Sequence, residues 1–458
     1  MNVPTSQAIT ASAGRFVERL KYRDIPEAGV TRAKASLLDA VGCTLAGSAT
    51  EEAAPVRAMV SADGGNPVAL ILGQAVRVPP AAAALANATA GHALDYDDSS
   101  PPMIGHPSVN LMSALFALGE RDGRSGSDII TAYVAGLDVA ARLGRHLNPS
   151  HYAAGWHATA TLGTLGSAAA AAHLLRLEER KVRMALGIAA SSAGGIRKNF
   201  GSMVKPLHAG MAARNGVVAA LLAHHGLTAD SDALDGERGF IDVFKGAQDP
   251  DLSQLRFDAG EPLEIMASGV GIKRYACCGC THSALDALIA LRTEHHIDHS
   301  KVAQIECTMN SLVPDILVHH RPTSPAQAKF SMEYCLAVAM IDGDCGMDQF
   351  SEERVAEGGV RALLERVSTT VDPAIAYRNG VYPGTVTVRF KDGNSVARHA
   401  EEARGHPDLP LDLSELQLKF MSCARRAIPE KQASAAFAML AELEKLSDIR
   451  RLTDLLSA

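Results

Sequence analysis

The chain has 458 residues, enough for a large core divided among two or three domains. Hydrophobic residues make up 47% but aromatics only 4%, so Ala, Leu, Val and Ile must fill the core, which favours close helix–helix packing over a β-sandwich. A net charge of −7 argues against nucleic acid or an anionic membrane as a partner, while leaving room for a small anionic substrate in a local basic pocket.

Residues 1–20 lack a basic start followed by an apolar run, so no export signal is visible and a cytoplasmic location is expected. Eight cysteines without such a signal read as thiols in a reducing compartment. Residues 6–21 carry Ile9, Ala13, Phe16, Val17 and Leu20 at helical spacing. A second helix is expected over 26–46, with Asp24 as its cap and Pro26 in the first turn. A short strand, 68–73, interrupts. The alanine-rich run 79–90 predicts a helix opened by prolines. Further helices are predicted at 107–121, 127–146, 158–175, 178–191 and 206–225, the last with Gly226 as its C′ residue. The apolar stretch 158–175 is short for a membrane span and reads as a buried helix.

The pattern changes near residue 265. Segments 268–275 and 302–309 look like strands, and 385–400 like a hairpin around Asp392-Gly393. Helices at 281–296, 326–341 and 351–366 alternate with them. The expected organisation is mainly α: a large helical domain from 1–265 and 401–458, and a smaller α+β domain from 266–400.

Four segments carry candidate chemistry. Residues 91–108 pack His92, Asp95, Asp97, Asp98, Ser99 and His106 together, with acids at a helix C-terminus where the dipole disfavours them. A solvated acidic turn is the plain alternative. In 155–166, His157 precedes a helix, a position that disfavours its charged form and suits a base; a histidine satisfied by a backbone carbonyl is the commoner case. In 199–216, Lys205 stands just before a helix expected to start at Pro206. With the backbone N–H groups there it would make a carboxylate-binding corner, and His208 on the first turn would be a further substrate contact. In 271–287, Lys273 and Arg274 end a predicted strand facing a helix N-terminus, a second anion corner. Cys278, Cys280 and His282 raise a zinc alternative there, but their spacing is not a standard zinc pattern. His92, Asp95, Asp97 and His106 have metal-ligating chemistry too. Acids paired with lysines fit metal-free acid/base work better. P-loop, Rossmann and GxSxG signatures are absent from the sequence.

Together these segments resemble the MmgE/PrpD family, which includes 2-methylcitrate dehydratase, cis-aconitate decarboxylase and iminodisuccinate epimerase. The resemblance runs from LLDAVGCTLAG (37–47) through GHALDYDD, GHPS, GWHATATLGTLGSAAAAA, KPLHAGMAARNGVVAALLA and IKRY to AKFSMEY (328–334). It implies a helical domain built from both chain ends, an inserted α+β lid, a homodimer, no metal or organic cofactor, and an active site between the domains. By motif match, Asp95, Ser99, His106, His157, Lys205 and Lys273 would line that site. Decarboxylase-like members carry a histidine shortly after the IKR-type lysine; here Cys277 and Cys278 stand there.

The expected activity is therefore a cofactor-independent lyase acting on a small di- or tricarboxylate, with dehydration of 2-methylcitrate favoured because of that missing histidine. Asp95 or His106 would take a proton, His157 would protonate the departing hydroxyl, and Lys205 and Lys273 would anchor carboxylates. Decarboxylation of cis-aconitate to itaconate and epimerisation of a dicarboxylate are the alternatives within the family. Outside it stand a non-catalytic polycarboxylate-binding protein and a metal-dependent hydrolase using His92, Asp95 and His106.

Overall fold

The computed structural model describes residues 8–257, 260–375 and 381–458. It divides into two compact units, one made of the chain up to Val270 together with Asp412–Ala458, the other of Gly271–Leu411.

The first unit is helical. It contains α1 (Ile9–Arg19), α2 (Glu27–Gly47), α3 (Ala53–Asp63), a two-stranded antiparallel pair β1 (Ala69–Ile71) and β2 (Val76–Val78), then α4 (Pro80–Ala93), α5 (Ser108–Asp122) and α6 (Gly126–Leu147). After a short turn at Ser150–Ala153, here α7, come α8 (Ala158–Leu174), α9 (Glu179–Ser192) and α10 (Val204–His224). Helices Leu413–Ala424 and Glu430–Ala441 return to pack on α2. No helix among the described residues is long and apolar enough to cross a membrane.

At the centre, α10 packs on α4 and α8, and α6 packs on α8. Small residues make this possible. All but one of the residues of α8 are buried, and its alanines, threonines and glycines let neighbours approach on every side. A Cβ on Gly210 of α10 would strike Thr89 and the Leu85 carbonyl of α4, so only glycine fits there. One polar side chain buried here ties the helices to the β-pair. Asn87 on α4 donates to Leu70 O at 2.9 Å and accepts from Leu72 N–H at 2.9 Å, pinning the β-pair.

One ammonium joins three parts of this unit. Lys419, from helix Leu413–Ala424, lies 2.5 Å from Asp39 of α2 and donates to Tyr96 O at 2.8 Å in the loop after α4. It also sits 3.9 Å from the Tyr96 ring centroid. Burial alone would push Lys419 down, but Asp39 outweighs it and holds the ammonium above its ordinary value.

The second unit holds a four-stranded sheet in the order β4-β3-β5-β6, built from β3 (Val302–Met309), β4 (Val367–Val371), β5 (Gly384–Phe390) and β6 (Ser395–Ala400). β3 is parallel to β4 and antiparallel to β5, and β5–β6 is a hairpin. Helices His282–Glu294 and Met332–Asp342 pack together in the same unit.

Four local expectations are corrected. Residues 268–275 form no strand; the segment is irregular, held by Ile272 N–H to Gly405 O at 2.8 Å. Asp24 does not cap α2, whose N-cap is Pro26; its carboxylate accepts from Lys21 N–H at 3.0 Å instead. The helix beginning at Pro206 starts at Val204, so Lys205 lies inside its first turn, where Pro206 costs nothing because those N–H groups have no helical partner. Segment 351–366 is split into Glu352–Ala356 and Gly358–Leu364.

Replacing Lys419 by Met should cost about 3–5 kcal/mol, because it strands the buried Asp39 carboxylate. The double replacement Lys419→Met with Asp39→Leu should recover most of that loss. Urea unfolding of both variants checks this; equal losses in the two would show that the pair is not the cause.

Candidate active site

Six of the seven candidate residues fall in the first unit, around the end of α4, the start of α8 and the start of α10. The loop 94–107 carries most of the acids. It is strained and tightly tied. Asp95 and Ile104 have φ of 54° and 48°, and the left-handed region is costly for a β-branched residue such as Ile104. The ties are Ser100 N–H to Gly105 O at 2.8 Å, Asn148 Nδ2 to Pro102 O and Met103 O at 3.1 and 2.7 Å, and Lys419 to Tyr96 O. His106 N–H donates to Thr159 Oγ1 of α8 at 3.1 Å.

Successive acids in this loop have different tasks. Asp95 pairs with Lys205 Nζ at 2.6 Å, both about one-sixth exposed. Asp97 is buried and accepts from His92 Nδ1, at 3.0 and 2.9 Å from its two oxygens. Asp98 is buried against Ser108, whose hydroxyl also lies 2.7 Å from Tyr133 Oη. Burial, with Asp39 and Asp97 nearby, pushes Asp98 well above the carboxylate range, while the hydrogen bonds from Ser108 oppose that rise.

The histidines form a contiguous group. The His92 ring centroid is 4.7 Å from that of His106 and 5.8 Å from that of His157. His106 Nδ1 donates to Asp98 O at 2.5 Å, which fixes the tautomer and leaves Nε2 as the reactive nitrogen of the neutral ring. Asp97 Oδ2 lies 3.6 Å from His106 Nδ1 and offers the counter-charge for an imidazolium there. His157 is the N-cap of α8, with its N–H donating to Gly195 O at 3.0 Å. Its Nδ1 is 3.0 Å from His208 Nδ1, and the Phe200 ring stands edge-on at 4.8 Å. Burial, reinforced by His92 and Lys205, pushes His157 well below the ordinary histidine value, and the same causes lower His208. The neutral form expected from the helix terminus is thus also the one that burial selects.

Ser99 is half-buried in the same loop. Lys273 belongs to the second unit, where it is 8% exposed on the irregular segment before the turn Gly279–Thr281. Sequence reading weighed His92 and Asp97 only as metal donors and passed over Phe200. The signal for His92–Asp97 was their five-residue spacing across the end of α4. Nothing in the sequence pointed to Phe200.

His92, Asp95 and His106 offer three donor atoms within 4.8 Å of one another. Their chemistry does not suit a cation. The Asp95 carboxylate is already bound by an ammonium, whose positive charge would oppose a metal ion a few ångströms away.

The chain was compared with known proteins. Residues 12–253 match the MmgE/PrpD N-terminal domain and residues 275–445 the MmgE/PrpD C-terminal domain. The chain belongs to the MmgE/PrpD family. Among curated relatives, the cis-aconitate decarboxylase of Homo sapiens is 29% identical over 98% of this chain and 95% of its own length. That of Mus musculus is 29% identical over 98% and 93%, and that of Aspergillus terreus 28% identical over 98% and 96%. The relatives thus match 98% of this MmgE/PrpD chain, with residues in both units.

A neutral folded-state His157 has a consequence for stability. Unfolded histidine titrates near pH 6.5, so below that the unfolded chain binds a proton the folded one refuses. Stability should fall as pH drops below about 6.5, by up to roughly 1.4 kcal/mol per pH unit from this residue. Urea midpoints from neutral to mildly acid pH should fall more steeply for wild type than for His157→Gln. Parallel curves would contradict the assignment.

Proposed function

We propose that this MmgE/PrpD protein is a lyase that works on a small polycarboxylate by acid/base chemistry of its own side chains, and that decarboxylation of cis-aconitate is the reaction it fits best. This reverses the preference for dehydration drawn from the sequence. The reason is that the full-length relatives are cis-aconitate decarboxylases. The observation that carries the reading is the contrast within one cluster: the Lys205–Asp95 pair and His106 on the partly open side, and neutral, buried His157 and His208 behind them.

The chemistry follows from that contrast. In cis-aconitate the bond between the methylene carbon and its carboxylate breaks, releasing carbon dioxide. The bonding pair forms a new double bond from the methylene carbon to the central carbon, the original π pair shifts to the vinylic carbon, and negative charge develops there beside its carboxylate. A proton must then reach the former vinylic carbon to give itaconate. Lys205 has three N–H donors, so a substrate carboxylate can share it with Asp95 while the ammonium stabilises the developing charge. His106, once it has taken a proton from solvent at Nε2 to become an imidazolium with Asp97 as counter-charge, is the proton donor. His157 presents an uncharged wall, so positive charge stays concentrated at Lys205 and His106. Lys273 is kept as a carboxylate anchor on the strength of the motif match.

Dehydration of 2-methylcitrate is the second reading. Cys277 and Cys278, standing where decarboxylase-like members carry a histidine, favour it.

Purified protein should convert cis-aconitate to itaconate, followed by proton NMR, with 2-methylcitrate in a parallel tube. An alkene from 2-methylcitrate and no itaconate would establish the second reading instead. His106→Asn and Lys205→Met should each lower turnover by about 10²–10⁴-fold while leaving the unfolding midpoint nearly unchanged. Full turnover by either variant would remove it from the mechanism.

A further inference from the structure

The Gly271–Leu411 unit gathers three thiols from distant parts of the chain. Cys277 precedes the turn Gly279–Thr281, Cys335 lies on helix Met332–Asp342, and Cys345 follows that helix. All three are fully buried, and their sulfurs lie within 4.8 Å of one another.

Isolated buried cysteines pack as small apolar residues and need no further explanation. Cys307, buried on β3, is of that kind. The trio differs because three soft donors converge on one point, and the backbone around them is clamped. Ala276 N–H donates to Cys345 O at 3.1 Å, and Cys278 N–H donates to Lys329 O at 3.0 Å, so the segment bearing Cys277 is fixed against the other two. Supporting groups are in place as well. Thr281 Oγ1 is 3.0 Å from Cys277 Sγ and donates to Cys278 O at 2.9 Å, which holds the turn beside the trio. His282, 4% exposed, has Nε2 at 3.2 Å from Cys277 O.

We propose that Cys277, Cys335 and Cys345 form a buried structural site for a thiophilic d¹⁰ cation of the zinc class. Thiolates are the ligands that such a cation favours, and each thiol gives up its proton on ligation. The set differs from the one the local sequence suggested. Cys278 and Cys280 are not in it, and two of the three sulfurs come from more than fifty residues away. The thiols take no part in the proton chemistry proposed above, so this inference does not depend on that reading.

The test is elemental analysis of the tag-free full chain, purified without chelator. The result expected is about one zinc per chain, falling at least tenfold in Cys345→Ser and unchanged in Cys307→Ala. Cobalt(II) added to the metal-stripped wild type should give thiolate-to-cobalt charge-transfer absorption. This second readout needs no variant, so it decides the matter if Cys345→Ser does not fold. Wild type with less than about a tenth of a zinc per chain and no cobalt band would overturn the proposal. So would a disulfide linking any two of the three in freshly purified protein.

Discussion

The candidate site depends on a single buried ammonium. Lys419 is bound to Asp39 and to the Tyr96 carbonyl, and Tyr96 sits between Asp95 and Asp97. Fixing that one carbonyl turns the two acids to different partners, Lys205 for one and His92 for the other. Burying an ion pair costs several kcal/mol per ion before the attraction is counted, so stability is a weak reason to keep it. Positioning is the stronger reason. The pair joins α2, the loop after α4 and a helix from the far end of the chain, and so explains physically why Asp412–Ala458 belongs with the first unit.

A strained loop held in this way can afford an unusual charge arrangement. Within one short loop it places one carboxylate neutralised by an ammonium, one paired to an imidazole and one whose charged form burial disfavours. The neighbouring histidines are split likewise. His106 has a carboxylate close by, while His157 and His208 share one proton between facing nitrogens and stay neutral. A site for a polyanion needs positive charge at defined points and none elsewhere. Environment supplies that pattern here from residues of the same few types.

Much of this was legible in the sequence, for a local reason. Helix periodicity and the alanine-rich runs place the long helices of the first unit to within a few residues, because their packing relies on small side chains at regular spacing, but they miss α3 (Ala53–Asp63). The segment 91–108 stood out because its acids oppose a helix dipole. What escaped was non-local. Lys419 is more than three hundred residues from the loop it holds, and the partners of Cys277 lie far down the chain. The expected strand at 268–275 failed because its backbone pairs through Ile272 with Gly405 rather than with a neighbouring strand. Pro206 marks the first turn of its helix but not its first residue, because a proline fits anywhere in that turn, and so Lys205 lies inside the helix.

The most direct test of the account is where the new hydrogen goes. The cluster is read as delivering one proton from one side, through His106, to a carbanion held against Lys205. Turnover of cis-aconitate in deuterium oxide should therefore place a single deuterium, with one stereochemical sense, on the saturated methylene of itaconate. Deuterium scrambled over both positions of that methylene, or found on the vinylic carbon, would mean that the proton is not delivered by this cluster.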